Sequence, residues 1–167
     1  MTTPTPQAGA RTYQVLANTF ISVPVLLGIV VFVVQSSQSD SPQVSWLAVV
    51  VPLVIAALSW MLCEQIGYRL APLESARAGT DVQQVAFARF QTSAMVRVAL
   101  CEVPMLVAVA LTFLSPPASV GNYLPGGLAS LVLLFMHVRP TRAVVGRSEA
   151  ALDRNGGHSG LSATFGF

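Results

Sequence analysis

The chain has 167 residues, of which 53% are hydrophobic and only 10% are charged, with a formal net charge of +2. Soluble domains carry roughly 25% charged residues, so this chain has too few to coat a water-facing surface. Its mean hydropathy of +0.65 points to an integral membrane protein and excludes an ordinary soluble enzyme or nucleic-acid-binding domain.

Residues 1–13 form a short N-terminal segment that carries Arg11. The first apolar stretch, "QVLANTFISVPVLLGIVVFVV" at about 14–34, has the length of about 20 residues that a membrane helix needs. It is too long for a signal-peptide core and no A-x-A site follows it, so it reads as a retained span. "VSWLAVVVPLVIAALSWMLC" supplies a second span at about 44–63, and residues 93–114 supply a third. "GNYLPGGLASLVLLFMHV", about 121–138, is a shorter fourth span with glycines near its start. Backbone groups stripped of water must bond within their own segment, so all four are predicted helices.

Between them, "SSQSDSPQ" (36–43) has one acid and no base, and "SPPASVGN" (115–122) has no charge. The connection 64–92 carries Arg69, Arg77 and Arg89, and the tail 139–167 carries Arg139, Arg142, Arg147 and Arg154. By the positive-inside rule both termini are cytoplasmic and the protein is a multi-pass protein of the cytoplasmic membrane. Trp46 and Tyr123 are placed for the outer interface and Tyr13 and Tyr68 for the inner one, while Trp60 lies deeper and packs. Thr80 with Gln83 three residues on forms a capping box. A helix is therefore expected to begin near Asp81 and run on through the third span, for roughly 50 Å. "RPTRAVVGRSEAALDRNGG" predicts a short surface helix from near Pro140 to Gly156–Gly157, its Val144, Val145, Ala151 and Leu152 resting on the membrane or on the loop helix. The final "HSGLSATFGF" is expected to be disordered, unless Phe165 and Phe167 dock. "SVPVL" (22–26), "VVPLV" (50–54) and "EVPML" (102–106) echo one another; a parallel repeat of two hairpins and chance recurrence both account for the echo.

The chemically loaded residue is Glu102, near the middle of the third span. A charge there costs about 2.5–3.5 kcal/mol on insertion scales, so the carboxyl is expected to face the bundle interior, neutral or paired. Pro104 removes one helical hydrogen bond and frees the Leu100 carbonyl beside it. Ser22 and Asn18 on the first helix and Ser130 on the fourth are the candidate partners of Glu102. At the inner mouth, Glu64, Arg97 and His137 lie at one level and form a second candidate cluster. The plainer alternative has Arg97 snorkelling to the headgroups and all three facing water. Cys63 and Cys101 read as small apolar fillers. No nucleotide loop, HExxH, CxxC or nucleophile elbow occurs, so no catalytic residue, cofactor, metal or nucleic-acid partner is expected. The arginines suit an anionic lipid surface.

Two resemblances follow from these residues. "ARFQTSAMVRVALCEVPMLVAVALTFL" resembles the carboxylate helix of rotary ATP synthase proteolipid subunits, which implies a proton-binding role at Glu102. That likeness is confined to one helix, and "VSWLAVVVPLVIAALSWML" has no glycine where that family has a glycine-rich partner helix. "FQTSAMVRVALCEVPMLVAVALTFL", "VRPTRAVV" and "ALDRNGGHSGLS" together are similar to small multi-pass membrane proteins of actinobacterial type, which brings no activity with it. The chain is thus expected to be an all-α, four-helix membrane bundle. Its expected role is that of a non-catalytic accessory or scaffold subunit in a larger membrane complex or homo-oligomer. The alternative is a proton- or cation-coupled carrier or channel using Glu102.

Overall fold

The computed structural model describes residues 6–36, 43–73, 80–114 and 119–167. The Thr80 hydroxyl of the capping box, Arg77 and most of the two short charge-poor connections lie outside the described residues. α1 (Pro6–Ser36), α2 (Trp46–Leu62), α3 (Thr80–Leu114) and α4 (Leu124–His137) are the long helices. Counted with the turns that adjoin α2 and α4, four helical segments, Gln7–Ser36, Trp46–Gly67, Val82–Leu114 and Val120–His137, are long and apolar enough to cross a membrane. α2 ends in a π-helical turn, Cys63–Gly67, and a single 3-10 turn, Val120–Asn122, leads into α4. Two short helices follow, α5 (Arg142–Leu152) and α6 (Leu161–Phe165). There is no strand among the described residues, and the protein is an all-α polytopic bundle.

α1 begins at Pro6, well ahead of the apolar run, because proline suits a first helical position and because Ala10 and Tyr13 are buried against the rest of the bundle. α3 is central and packs on α1, α2 and α4. The start of α1, the end of α2, the start of α3 and the end of α4 meet at one end. There the Tyr13 hydroxyl donates to the Val138 carbonyl at 2.8 Å and the Ser93 hydroxyl donates to the Gly67 carbonyl. Every arginine among the described residues belongs to this end. Outward-facing positions such as Val25, Phe32, Leu53, Leu106 and Leu128 are exposed, as lipid-facing side chains are in an isolated bundle.

Three prolines inside helices converge on the start of α4. The Tyr123 hydroxyl donates to the Pro24 carbonyl of α1. Gly126 lies so close to the other two helices that a Cβ there would sit 2.5 Å from the Pro104 carbonyl oxygen and 3.1 Å from Pro52 Cβ. Ser130, one turn further along α4, is fully buried and accepts the Met105 N–H at 2.9 Å. The Val-Pro pairs of α2 and α3 therefore mark where those two helices receive the small-residue face of α4 at Gly126 and Ser130, a small-xxx-small contact of the kind lipid-embedded helices use, whereas Pro24 of α1 meets Tyr123 just ahead of α4. Ser130→Ala is expected to cost about 1 kcal/mol, since the Met105 N–H then loses an acceptor in a dry interface. A thermal unfolding curve in detergent checks it, and an unshifted midpoint would show that the Ser130 contact carries no net energy.

Several expectations need correcting. Tyr123 and Tyr13 are interior residues and not interface anchors, because each hydroxyl finds a backbone carbonyl inside the bundle. Trp60 is half exposed on α2 instead of packed. α5 starts at Arg142, not near Pro140, because the Thr141 hydroxyl accepts the Val144 N–H and caps it there. It ends at Leu152, before the glycine pair, where the Asp153 carboxylate turns away to accept the Ser159 N–H at 2.8 Å. Of the two placements expected for Val144, Val145, Ala151 and Leu152, the membrane one does not hold: all four are buried within the protein, and Val145 and Leu152 share a core cluster with Val82 and Ala86 of α3. The last residues are ordered: α6 sets Phe165 against Tyr13, Phe87 and Phe90, with ring centroids 6.0, 6.2 and 5.2 Å away. The Ser162 hydroxyl donates to the Glu149 carboxylate and ties α6 to α5. Phe167 stays exposed.

Candidate functional site

Glu102 does not face the bundle interior. It is half buried, at the edge of the exposed stripe of α3 that includes Val103, Leu106 and Phe113. Its expected partners do not gather around it. Asn18 and Ser22 are exposed on α1, and the Ser22 hydroxyl donates to the Thr19 carbonyl at 2.7 Å. Ser130 is engaged with Met105, as above. Among the described residues no side-chain hydrogen bond or ion pair reaches the Glu102 carboxyl. The reason lies in the helical phase: Cys101, Pro104, Met105 and Ala108 hold the interior positions of α3, which rotates residue 102 outward.

The polar residues at the arginine-bearing end do come together. The π-helical turn closing α2 presents Glu64 and Tyr68 one turn apart. Its Gly67 admits Arg97 of α3, since a Cβ at 67 would sit 2.6 Å from Arg97 Cγ. Arg97 neither snorkels nor meets Glu64. It is 0% exposed, with its guanidinium carbon 4.6 Å from the Tyr68 ring centroid and 5.5 Å from that of Phe90. Desolvated stacking on aromatic faces offsets part of the cost of burying the charge, by about 2 kcal/mol. Its Nε–H donates to the Ser93 carbonyl at 3.4 Å, and both Nη atoms are buried without a protein hydrogen bond. His137 is 2% exposed. Its Nδ1 lies 3.3 Å from the Tyr68 hydroxyl and 4.0 Å from the Glu64 carboxylate, and its Nε2 is buried without a protein partner.

Glu64 itself turns outward to Arg147 of α5, at 2.8 Å. That bond raises the Arg147 guanidinium above its ordinary value. Both partners are more than a third exposed, so the pair contributes no more than about 1 kcal/mol. Arg147 also lies 5.4 Å from the Tyr68 ring. Tyr68 is thus the hub of the cluster, touched by Arg97, Arg147 and His137. A cleft of about 470 Å³ opens beside it, lined by Glu64, Gln65, Tyr68, Arg69, Arg147, Ala150, Ala151 and Arg154.

The sequence reading missed Tyr68 and Arg147. The spacing of Glu64 and Tyr68 by one helical turn was an available signal; the placement of α5 over the end of α2 was not. It also missed that Cys63 and Cys101 face each other across α2 and α3 with sulfurs 3.8 Å apart, both as free thiols. Comparisons with protein-family models, with curated proteins and with solved structures find no match to this chain.

Proposed function

We propose that this chain is a non-catalytic subunit of a membrane assembly that docks on a further transmembrane helix, from another subunit or a second copy, through the Glu102 edge of α3. The observation that carries the reading is the half-buried carboxyl of Glu102, which has no partner among the described residues and sits on an otherwise apolar outward stripe. A polar group at mid-span is costly in lipid, and a hydrogen bond from a neighbouring helix is the ordinary way to offset that cost. The interior polar groups support the same reading. Ser130, Tyr13 and Tyr123 hydrogen-bond backbone groups of neighbouring helices, as parts of a scaffold do. A carrier would need polar atoms converging on Glu102, and Asn18, Ser22 and Ser130 are turned elsewhere. The arginines at one end support a cytoplasmic-membrane protein with that end, and both termini, in the cytoplasm.

The test compares Glu102→Gln and Glu102→Leu with the parent chain in native membranes. The parent and the Gln variant, which keeps a hydrogen bond, are expected to leave mild detergent in one oligomeric complex. The Leu variant is expected to leave as a free monomer that is still folded. Identical monomers from all three would end the reading. An intact complex in the Gln variant together with lost cation-coupled uptake would install the carrier in its place.

A further inference from the structure

The cleft beside Tyr68 joins two features that a phosphate-bearing amphiphile requires, a basic rim and an apolar track leading from it. Arg69 follows the π-helical turn of α2. Arg147 and Arg154 lie seven residues apart, two turns along one face of α5 and its end. All three line the cleft, and Glu64 is the one acid among its lining residues. Glu64 neutralises Arg147, while Arg69 and Arg154 are exposed and their side chains make no hydrogen bond or ion pair among the described residues. The cleft therefore keeps two uncompensated guanidinium groups. Guanidinium forks match phosphate oxygens in pairs. Behind Tyr68 the buried Arg97 adds a third uncompensated positive charge, 4.6 Å from that ring.

The apolar track runs down α2. Gln65 lines the cleft, and Met61, Leu58 and Val54 precede it at intervals of three and four residues. Those intervals place them on one helix face, and all three are half exposed. A headgroup held at the arginines would lay its acyl chain along that strip. A free phosphate would use the arginines alone.

We propose that this cleft is a binding site for a phosphate group, and that the anion it takes is the headgroup of an acidic membrane phospholipid. The site is independent of Glu102 and of any partner docked there.

Trp60 makes the proposal measurable, because it is half exposed one turn before Glu64. In a Trp46→Phe background it is the single tryptophan of the chain, the sequence having two. The full chain would be reconstituted in vesicles of phosphatidylcholine with increasing phosphatidylglycerol, and quenching of Trp60 by brominated acyl chains of either lipid compared. The expected result is a preference of several-fold for the acidic lipid. Each of Arg69→Gln and Arg154→Gln should lower it by about fivefold at most, the worth of one surface arginine. Glu64→Gln should raise it by freeing Arg147. A purely structural role for the cluster predicts the opposite sign for Glu64→Gln.

Inorganic phosphate, added at millimolar concentration, separates the sources. If it leaves the lipid preference intact, the headgroup is the ligand. If it abolishes the preference while the arginine variants still lower it, the phosphate site stands but is filled from solution, and the lipid assignment is overturned. Equal quenching by the two lipids in the parent, with no response to phosphate, overturns the site altogether. So does a Glu64→Gln variant that loses preference as the arginine variants do. Because all three substitutions lie at exposed positions, helical content by circular dichroism is expected to stay unchanged.

Discussion

Arg97→Ala is expected to destabilise the protein by about 3 kcal/mol, whereas Arg97→Met is expected to change stability by less than about 1 kcal/mol. Arg97 is the largest fully buried side chain among the described residues, and it fills the space between Gly67, Tyr68 and Phe90. Truncation to alanine leaves a cavity of most of that volume, and cavities in packed cores cost a few kcal/mol because the surroundings relax only in part. Methionine keeps a flexible chain of similar reach and contacts aromatic rings well. It gives up the cation–π contacts but also removes a buried charge whose Nη atoms have no protein hydrogen bond. Replacing such charges by well-packed apolar groups is often neutral or stabilising. Midpoints of thermal unfolding in one detergent would decide the matter. Should methionine prove as damaging as alanine, the guanidinium charge itself would be shown to hold the cluster, through solvent or a bound anion.

The contrast between Arg97 and Glu102 shows how far a sequence of this kind can be read. Span number, helix type and the gathering of arginines at one end rest on length, apolarity and charge, which are local properties, and the bundle has all of them. The long third helix is equally legible, since its polar first turns continue the same helix before the apolar run begins. The direction in which a single polar residue points is not local. A burial penalty at mid-span predicts an inward carboxyl, yet Cys101, Pro104, Met105 and Ala108 together fix the rotation of α3, and residue 102 is carried to the edge. Arg97, five residues earlier, falls on the opposite side of the same rotation and is carried inward, against the expectation that it snorkels.

The end of the chain was misread for a related reason. "HSGLSATFGF" has the composition of a free tail, but Phe165 finds a ready-made aromatic site formed by Tyr13, Phe87 and Phe90. Those residues come from two helices far apart in sequence, and nothing in the tail itself announces them. The cluster around Tyr68 is intermediate. Its helix-borne members, Glu64, Arg97 and His137, share a depth that can be counted along the spans, while Arg147 arrives on α5, whose docking depends on contacts such as the Leu73 N–H to the Leu152 carbonyl at 2.8 Å.

The tightest point of the bundle gives the other large effect. Gly126→Ala is expected to cost about 2 kcal/mol, an overpacking penalty, although alanine is the better helix former by about 1 kcal/mol. A Cβ at 126 would lie 2.4 Å from Ala108 Cβ and 2.5 Å from the Pro104 carbonyl oxygen. The first contact is with a side chain and the second with backbone, so they are relieved differently. Adding Ala108→Gly removes the Cβ clash and leaves the carbonyl, and the double variant should recover only part of the loss. Gly146 of α5 provides the opposite case, since a Cβ there meets nothing within 4 Å. Gly146→Ala should therefore stabilise the protein by about 0.5–1 kcal/mol through backbone entropy alone. One substitution at two helical glycines is thus predicted to act with opposite signs, and unfolding midpoints measured side by side test both. If Gly126→Ala were harmless, the approach of α4 to the proline turns would have to be looser than the Ser130–Met105 bond beside it implies. The Val-Pro pairs of α2 and α3 would then lose their structural explanation.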